Sequence, residues 1–195
     1  MSLSFFLLLM FAYLLGGVPF GLLWGRIFAD IDVRDFGSGN IGATNVNRIL
    51  GRKLGAATLL SDVLKSVLCV FLAKTFGMSI FEMALVGLAA VVGHCYPIYL
   101  RFRGGKGVAT ALGACLLITP IAAFVAVATW LFVFRMSRIS ALSALIAALI
   151  LLLAALVETH WSISVGSVYL IMVIIILIRH KDNIQRMRKG VELSS

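Results

Sequence analysis

The sequence predicts an all-α, polytopic membrane bundle, and three observations carry that prediction: composition, the continuity of the apolar runs, and the sorting of basic residues among the loops. Of 195 residues, 62% are hydrophobic and 13% are charged, more apolar surface than one aqueous core of this size can bury, so lipid is the expected solvent. The apolar runs are continuous where a transmembrane barrel would alternate polar and apolar positions, which argues against strands. A hydrocarbon core of roughly 30 Å takes about 20 helical residues per crossing. That spacing predicts seven transmembrane helices, near 3–24, 54–74, 81–100, 107–119, 120–134, 139–157 and 161–179, in a single domain over 1–195.

The first span, Leu3 to Trp24, has the apolar character of a signal peptide. No positive charge precedes it and no small-x-small cleavage site follows, so it is expected to stay as a helix. The second carries Asp62 and Lys65 three residues apart, on one helical face. Ions inside a membrane are costly, so this pair reads either as a functional site or as an ion pair that fixes packing. The third span ends on His94 and Tyr96-Pro97, and the fourth and fifth are short and hinge at Thr119-Pro120. Cys69, Cys95 and Cys115 stand singly in apolar segments, which suggests neither a disulfide framework nor a metal site.

Seven crossings put the termini on opposite sides. Of the 17 lysines and arginines, all but Lys65, within a span, and Lys74, at the far end of one, then fall on one face. By the positive-inside rule that face is cytoplasmic, with the amino terminus outside and the carboxyl terminus inside. Trp24, Trp130, Trp161, Tyr96 and Tyr99 lie near span ends, as interfacial anchors do. The net charge of +9 follows largely from this bias and from anionic headgroups, and nothing supports nucleic-acid binding.

Three cytoplasmic segments carry the chemistry. Gly37-Ser38-Gly39-Asn40-Ile41-Gly42-Ala43-Thr44-Asn45-Val46-Asn47-Arg48 mixes glycines with hydroxyls, amides and an arginine. Successive amide N–H groups form an anion-binding nest that glycines let a ligand approach, and Ser38, Thr44, Asn45 and Arg48 add donors. The second, Arg101-Phe102-Arg103-Gly104-Gly105-Lys106-Gly107, runs directly into the fourth span. It places Lys106 and the positive end of a helix dipole where a phosphate would sit. GxxxxGK[ST] is absent, so nucleotide hydrolysis is not implied. In the third, His180 and Asn183 share a helical face after the last span and are candidates to donate hydrogen bonds to a carbonyl that develops charge.

The stretches GSGNIGATN with Arg48, FRGGKGVAT and HKDNIQRMRKGVE together resemble the motifs of the bacterial integral-membrane acyl phosphate:glycerol-3-phosphate acyltransferases, over nearly the whole chain. The resemblance implies transfer of a fatty acyl group from acyl phosphate to the C1 hydroxyl of glycerol 3-phosphate in phospholipid synthesis. The products would be 1-acylglycerol 3-phosphate, a lysophosphatidic acid, and inorganic phosphate, made on the cytoplasmic side of the plasma (inner) membrane. It implies that Ser38, Arg48 and Lys106 hold glycerol 3-phosphate and that Gly42, Thr44, Asn45, Gly104, Gly105 and Gly107 cradle phosphate. His180 and Asn183 match residues that bind and polarise the acyl phosphate, and Glu192 matches the final acid of the third motif. The family commonly has a serine soon after the arginine of its fifth-to-sixth loop. Here Arg138-Ile139-Ser140-Ala141-Leu142-Ser143 leaves both Ser140 and Ser143 as candidates.

An acyl phosphate is already activated, so positioning, charge neutralisation and carbonyl polarisation suffice without a triad or a carboxylate pair. The family implies that the leaving phosphate accepts the proton, with no cofactor and no metal. None of His94, His160 or His180 has the aspartate, four residues removed, of glycerolipid acyltransferases that use acyl-CoA. The rival reading is a small organophosphate transporter, which should carry polar groups at midplane and on the far face. At midplane the sequence offers only Asp62 and Lys65. No obligatory protein partner is evident.

Overall fold

The computed structural model describes residues 2–193, and among these there is no strand. Ten α-helices follow one another: α1 (Leu3–Gly16), α2 (Phe20–Ala29), α3 (Ala43–Leu50), α4 (Arg52–Thr75), α5 (Ile80–Cys95), α6 (Val108–Ile118), α7 (Pro120–Ser137), α8 (Ser140–Glu158), α9 (Ile163–Arg179) and α10 (Lys181–Arg188). Large apolar side chains such as Phe124, Phe132, Met136 and Ile163 point outward, an arrangement that lipid tolerates and water does not.

Among the described residues, five segments are long and apolar enough to cross a membrane: Leu3–Ala29, α4, Ile80–Leu100, α7 and α8. The pair α9 and α10, bent by 55°, makes a sixth. This is fewer than the seven spans expected, and the difference lies in α6. Its 11 residues make a helix of about 16 Å, near half the hydrocarbon thickness. Pro120 opens α7 directly after it, with no loop between. The junction is capped from both neighbours: Thr119 Oγ1 lies 2.6 Å from the Tyr169 hydroxyl. The Glu158 carboxylate, at the end of α8, accepts from the amides of Ile121 and Ala122 at 3.2 and 2.8 Å. A carboxylate at the positive end of α7 stabilises that end.

Because α6 and α8 finish together, α6 begins roughly 12 Å short of the level where α8 begins.

Close approaches hold the remaining helices. A Cβ at Gly16 of α1 would overlap the backbone of Ala90, and one at Gly93 of α5 would overlap the Tyr13 carbonyl; small residues permit such contact between membrane helices. The α8 stretch is rich in alanine and leucine, the strongest helix formers. Its Ala141, Ala144, Ala148 and Ala155 turn inward. On the motif side, Leu22, Val33, Ile41 and Val46 form a small core of their own, which ties α2 to α3 and seats the first motif loop.

Candidate active site

Asn45 organises the first motif segment. Its side-chain amide is buried and donates to the carbonyls of Val33, Phe36 and Asn40 at 3.0, 3.2 and 2.9 Å. Its Oδ1 accepts from the Ser38 amide at 2.8 Å. Asn40 Oδ1 accepts from the Gly42 amide at 2.9 Å. Much of the donor supply that the sequence offered to a ligand is therefore spent within the loop. Asn45 is a staple for the loop, and it lines the cavity together with Ser38, Gly42, Thr44 and Arg48.

In the second motif turn the glycine amides are already engaged. The Gly104 and Gly105 amides donate to the carbonyls of Cys95 and His94 at 3.2 and 3.0 Å, and both glycine carbonyls accept from Arg179 at 2.6 and 3.0 Å. The Arg179 guanidinium in turn lies 5.3 Å from the centre of the Tyr96 ring, so Tyr96, expected as a lipid anchor, supports this clamp. Neither glycine lines the cavity. They are glycines because the turn lies against α5: a Cβ on Gly104 would overlap the His94 carbonyl, and one on Gly105 the His94 ring. With their amides engaged by α5, Gly104 and Gly105 shape the turn that leads to Lys106.

What the turn delivers is Lys106, followed by Gly107, whose φ of +83° starts α6 without a side-chain cap. The first amides of α6 have no acceptors within the helix, and Val108 and Ala109 line the cavity. Burial pulls the Lys106 ammonium down to about 8, against the opposing pull of Glu192.

The third segment brings His180 and Asn183 together as expected, both buried at the α9–α10 bend. His180 Nδ1 lies 2.8 Å from the Ile176 carbonyl, and burial, with Lys106 nearby, lowers its pKa to about 4. The ring is then neutral with its hydrogen on Nδ1, which leaves Nε2 as an acceptor. An Nε2 acceptor can receive a hydrogen bond from a hydroxyl. Asn183 donates to Glu192 at 2.7 Å, and Arg186 donates to the other oxygen of that carboxylate at 2.8 Å.

These groups meet in a cavity of about 570 Å³. Its polar end holds Ser38, Thr44, Arg48, Lys106, His180 and Glu192, with Arg52 added by the structure. The other end is apolar and runs between α7, through Val127, Trp130, Leu131 and Phe134, and α8, through Ala144 and Ala148. Trp130, expected as an interfacial anchor, is a wall of this gorge. Alanines three and four residues apart on 141–148, opposite aromatics four apart at 130 and 134, are the sequence signal that would have found it.

Of the two serine candidates, Ser140 lines the cavity and lies 3.0 Å from the Thr44 hydroxyl. Ser143 is buried, donates to the Ile139 carbonyl at 2.9 Å and does not line the cavity. Among the described residues no cluster of His, Cys, Asp and Glu could hold a metal ion. A second recess of about 570 Å³ is lined by Arg26, Arg34, Tyr99, Arg101 and Arg103. Asp32 already neutralises Arg34 and Arg26 there, and no apolar gorge leads from it, so the motif-lined cavity is the candidate site.

A lysine near pH 8 gives a testable limb. Cationic Lys106 is the form that attracts an anion, so kcat/KM, which reports the free enzyme, is expected to fall as pH rises through about 8. In Lys106→Arg, whose guanidinium stays charged, the residual activity is expected to lack that limb. An unchanged alkaline limb in the variant would assign it to another group.

Residues 6–190 match the family described as Glycerol-3-phosphate acyltransferase. A glycerol-3-phosphate acyltransferase of Pseudomonas fluorescens is 44% identical over 189 residues, 96% of this chain and 98% of its own. That of Geobacter sulfurreducens is 43% identical over 181 residues, 93% and 92% of the two chains. Among solved structures, PlsY (YgiH), an integral membrane glycerol 3-phosphate acyltransferase, matches in its glycerol 3-phosphate form with a TM-score of 0.92 at 37% identity, over 98% of this chain and 96% of that one. Its lysophosphatidic acid form matches with a TM-score of 0.89 at 36% identity, over 98% and 95%.

Proposed function

Since the chain belongs to the glycerol-3-phosphate acyltransferase family and is an enzyme that acylates glycerol 3-phosphate, we propose that its donor is an acyl phosphate and that the motif-lined cavity holds both reactants. The observation that carries this reading is the two-part cavity: cations and hydroxyls at one end, an apolar gorge leading from them between α7 and α8. That is the shape of an amphiphile with a phosphate head.

In this reading Arg48, Lys106 and Ser38 hold the phosphate of glycerol 3-phosphate, with Arg48 able to bind two oxygens at once. The acyl chain lies in the gorge, with its phosphate toward the free amides of α6 and the hydroxyls of Thr44 and Ser140. The C1 hydroxyl attacks the acyl carbon. The bond from that carbon to the glycerol oxygen forms, the bond to the phosphate oxygen breaks, and the hydroxyl proton leaves on the phosphate. His180 orients the hydroxyl through its Nε2 acceptor. With a pKa of about 4 it is a weak base, which suits a mechanism in which the departing phosphate takes the proton. The motif end faces the cytoplasm of the bacterial inner membrane, where both anionic reactants lie at the headgroup level.

The test is acyl transfer by the detergent-purified protein, with labelled glycerol 3-phosphate and either palmitoyl phosphate or palmitoyl-CoA as sole donor. Product with the phosphate alone is expected; product with CoA alone would refute the donor assignment. The gorge makes a separate prediction. Ala148→Phe fills it, so turnover of a palmitoyl donor is expected to fall by about tenfold while an octanoyl donor is spared. Equal loss for both chain lengths would place the acyl chain elsewhere.

A further inference from the structure

In the wall of the cavity, which Asp62 and His94 help to line, lies a charged network that the mechanism above does not use. Lys65 of α4, 3% exposed, is paired with Asp62 at 2.7 Å. It donates to the Val18 carbonyl, at the break between α1 and α2, at 3.1 Å. Its third partner is His94 Nδ1, at 2.9 Å. The hydrogen bonds of the ammonium go to Val18 and His94, while the Asp62 carboxylate faces it as the ion-pair partner. A neutral imidazole that accepts at Nδ1 carries its hydrogen on Nε2, and Nε2 is the atom that a Cβ on Gly105 would overlap.

Stability alone does not explain three such groups, because a buried ion pair is often no better than apolar residues of the same volume. Their contacts do. The His94 carbonyl holds the Gly105 amide, the His94 ring backs Gly105, and the next residue is Lys106. Arg179 clamps the opposite side of the same turn.

We propose that Asp62, Lys65 and His94 form a positioning relay, in which the ion pair fixes the His94 ring and the ring sets where the Gly104-Gly105 turn delivers Lys106. The relay rests on the reading of Lys106 as a ligand of the glycerol 3-phosphate phosphate. None of the three need touch substrate, and each acts through Lys106.

A double-variant cycle on the purified full chain tests this, with the Kd for glycerol 3-phosphate and Tm as readouts. His94→Asn keeps an acceptor for Lys65 and removes the ring under Gly105. It is expected to weaken binding by about tenfold or more with little change in Tm. In a Lys106→Ala background the same substitution is expected to change Kd by less than about twofold, since the group it positions is gone. Equal losses in the two backgrounds, or unaltered binding by His94→Asn, would overturn the relay. If His94→Asn does not fold, Asp62→Asn with Lys65→Met, which removes both charges together, carries the same cycle with the same expected outcomes. Failure of the unsubstituted protein to bind glycerol 3-phosphate would overturn the Lys106 assignment itself and the relay with it, whereas normal binding with additive losses overturns the relay alone.

Discussion

Lys106→Ala is expected to lower kcat/KM for glycerol 3-phosphate by two to three orders of magnitude, the loss typical when one preorganised donor to a charged centre is removed. The side chain lies at the meeting of the first and third motif segments, beside the amides that open α6. Its ammonium is mostly withdrawn from water, which is why its pKa falls to about 8. A desolvated cation costs the folded state free energy until an anion arrives. Thermal stability of the unliganded variant is therefore expected to equal or exceed that of the parent, while added glycerol 3-phosphate, which should raise the Tm of the parent, raises it little in the variant. A variant with full activity, or one that unfolds, would count against Lys106 as a phosphate ligand and for a structural role.

The second large effect is expected from Asn45→Asp, which changes one buried amide nitrogen to oxygen. The amide shares its two hydrogens among three carbonyls, of which that of Phe36 also accepts from a loop amide, Gly39, at 3.0 Å. A carboxylate would face the same three oxygens with no hydrogen to offer. With the Phe36 carbonyl still held by Gly39, two acceptors lose their donor. Each buried acceptor left unsatisfied costs about 1–3 kcal/mol, so a loss of at least about 2 kcal/mol is expected, concentrated in the segment from Val33 to Arg48. Acyl transfer should fall to background, and hydrogen exchange should rise in that segment while the amides of α8 stay protected. Uniform loss of protection across the chain would show that Asn45 holds the whole bundle rather than the loop.

Composition and charge made the helical membrane class legible, since continuous apolar runs and the one-sided distribution of lysine and arginine have few other solutions. The count of crossings was less legible. Residues 107–119 are apolar enough to suggest a span, but the glycine turn before them and Pro120 after them leave only 11 helical residues. Hydropathy registers the composition of such a segment and not its length as a helix.

At the site, the motifs located most of the cavity's polar end because glycine, lysine and arginine at those spacings have a direct electrostatic meaning. They did not reveal how the donors are distributed. Asn45 and Ser38 are both polar residues in one loop and both line the cavity, yet the side chain of the first is consumed by backbone carbonyls. Likewise Gly104 and Gly105 read as an anion nest, and only the packing against His94 shows that their amides and carbonyls are already taken. The gorge was hidden because Trp130, Phe134 and the alanines of α8 have the composition of any membrane helix; their facing each other across one cavity is a tertiary fact. Ser140 and Ser143 differ by three residues on one helix, and only the structure shows that the first meets Thr44 while the second bonds back to Ile139.

The central claim is that one cavity seats the acyl chain between α7 and α8 and the phosphates among the three motifs. Photolabelling tests it most directly, using a non-transferable acyl phosphonate with a diazirine near the end of its chain, followed by mass spectrometry of the labelled peptides. Labels are expected on the 126–134 and 144–151 segments, and saturating acyl phosphate should suppress them. Labels on the arginine-lined recess near Tyr99, or scattered along the lipid-facing side chains and indifferent to competitor, would contradict the account.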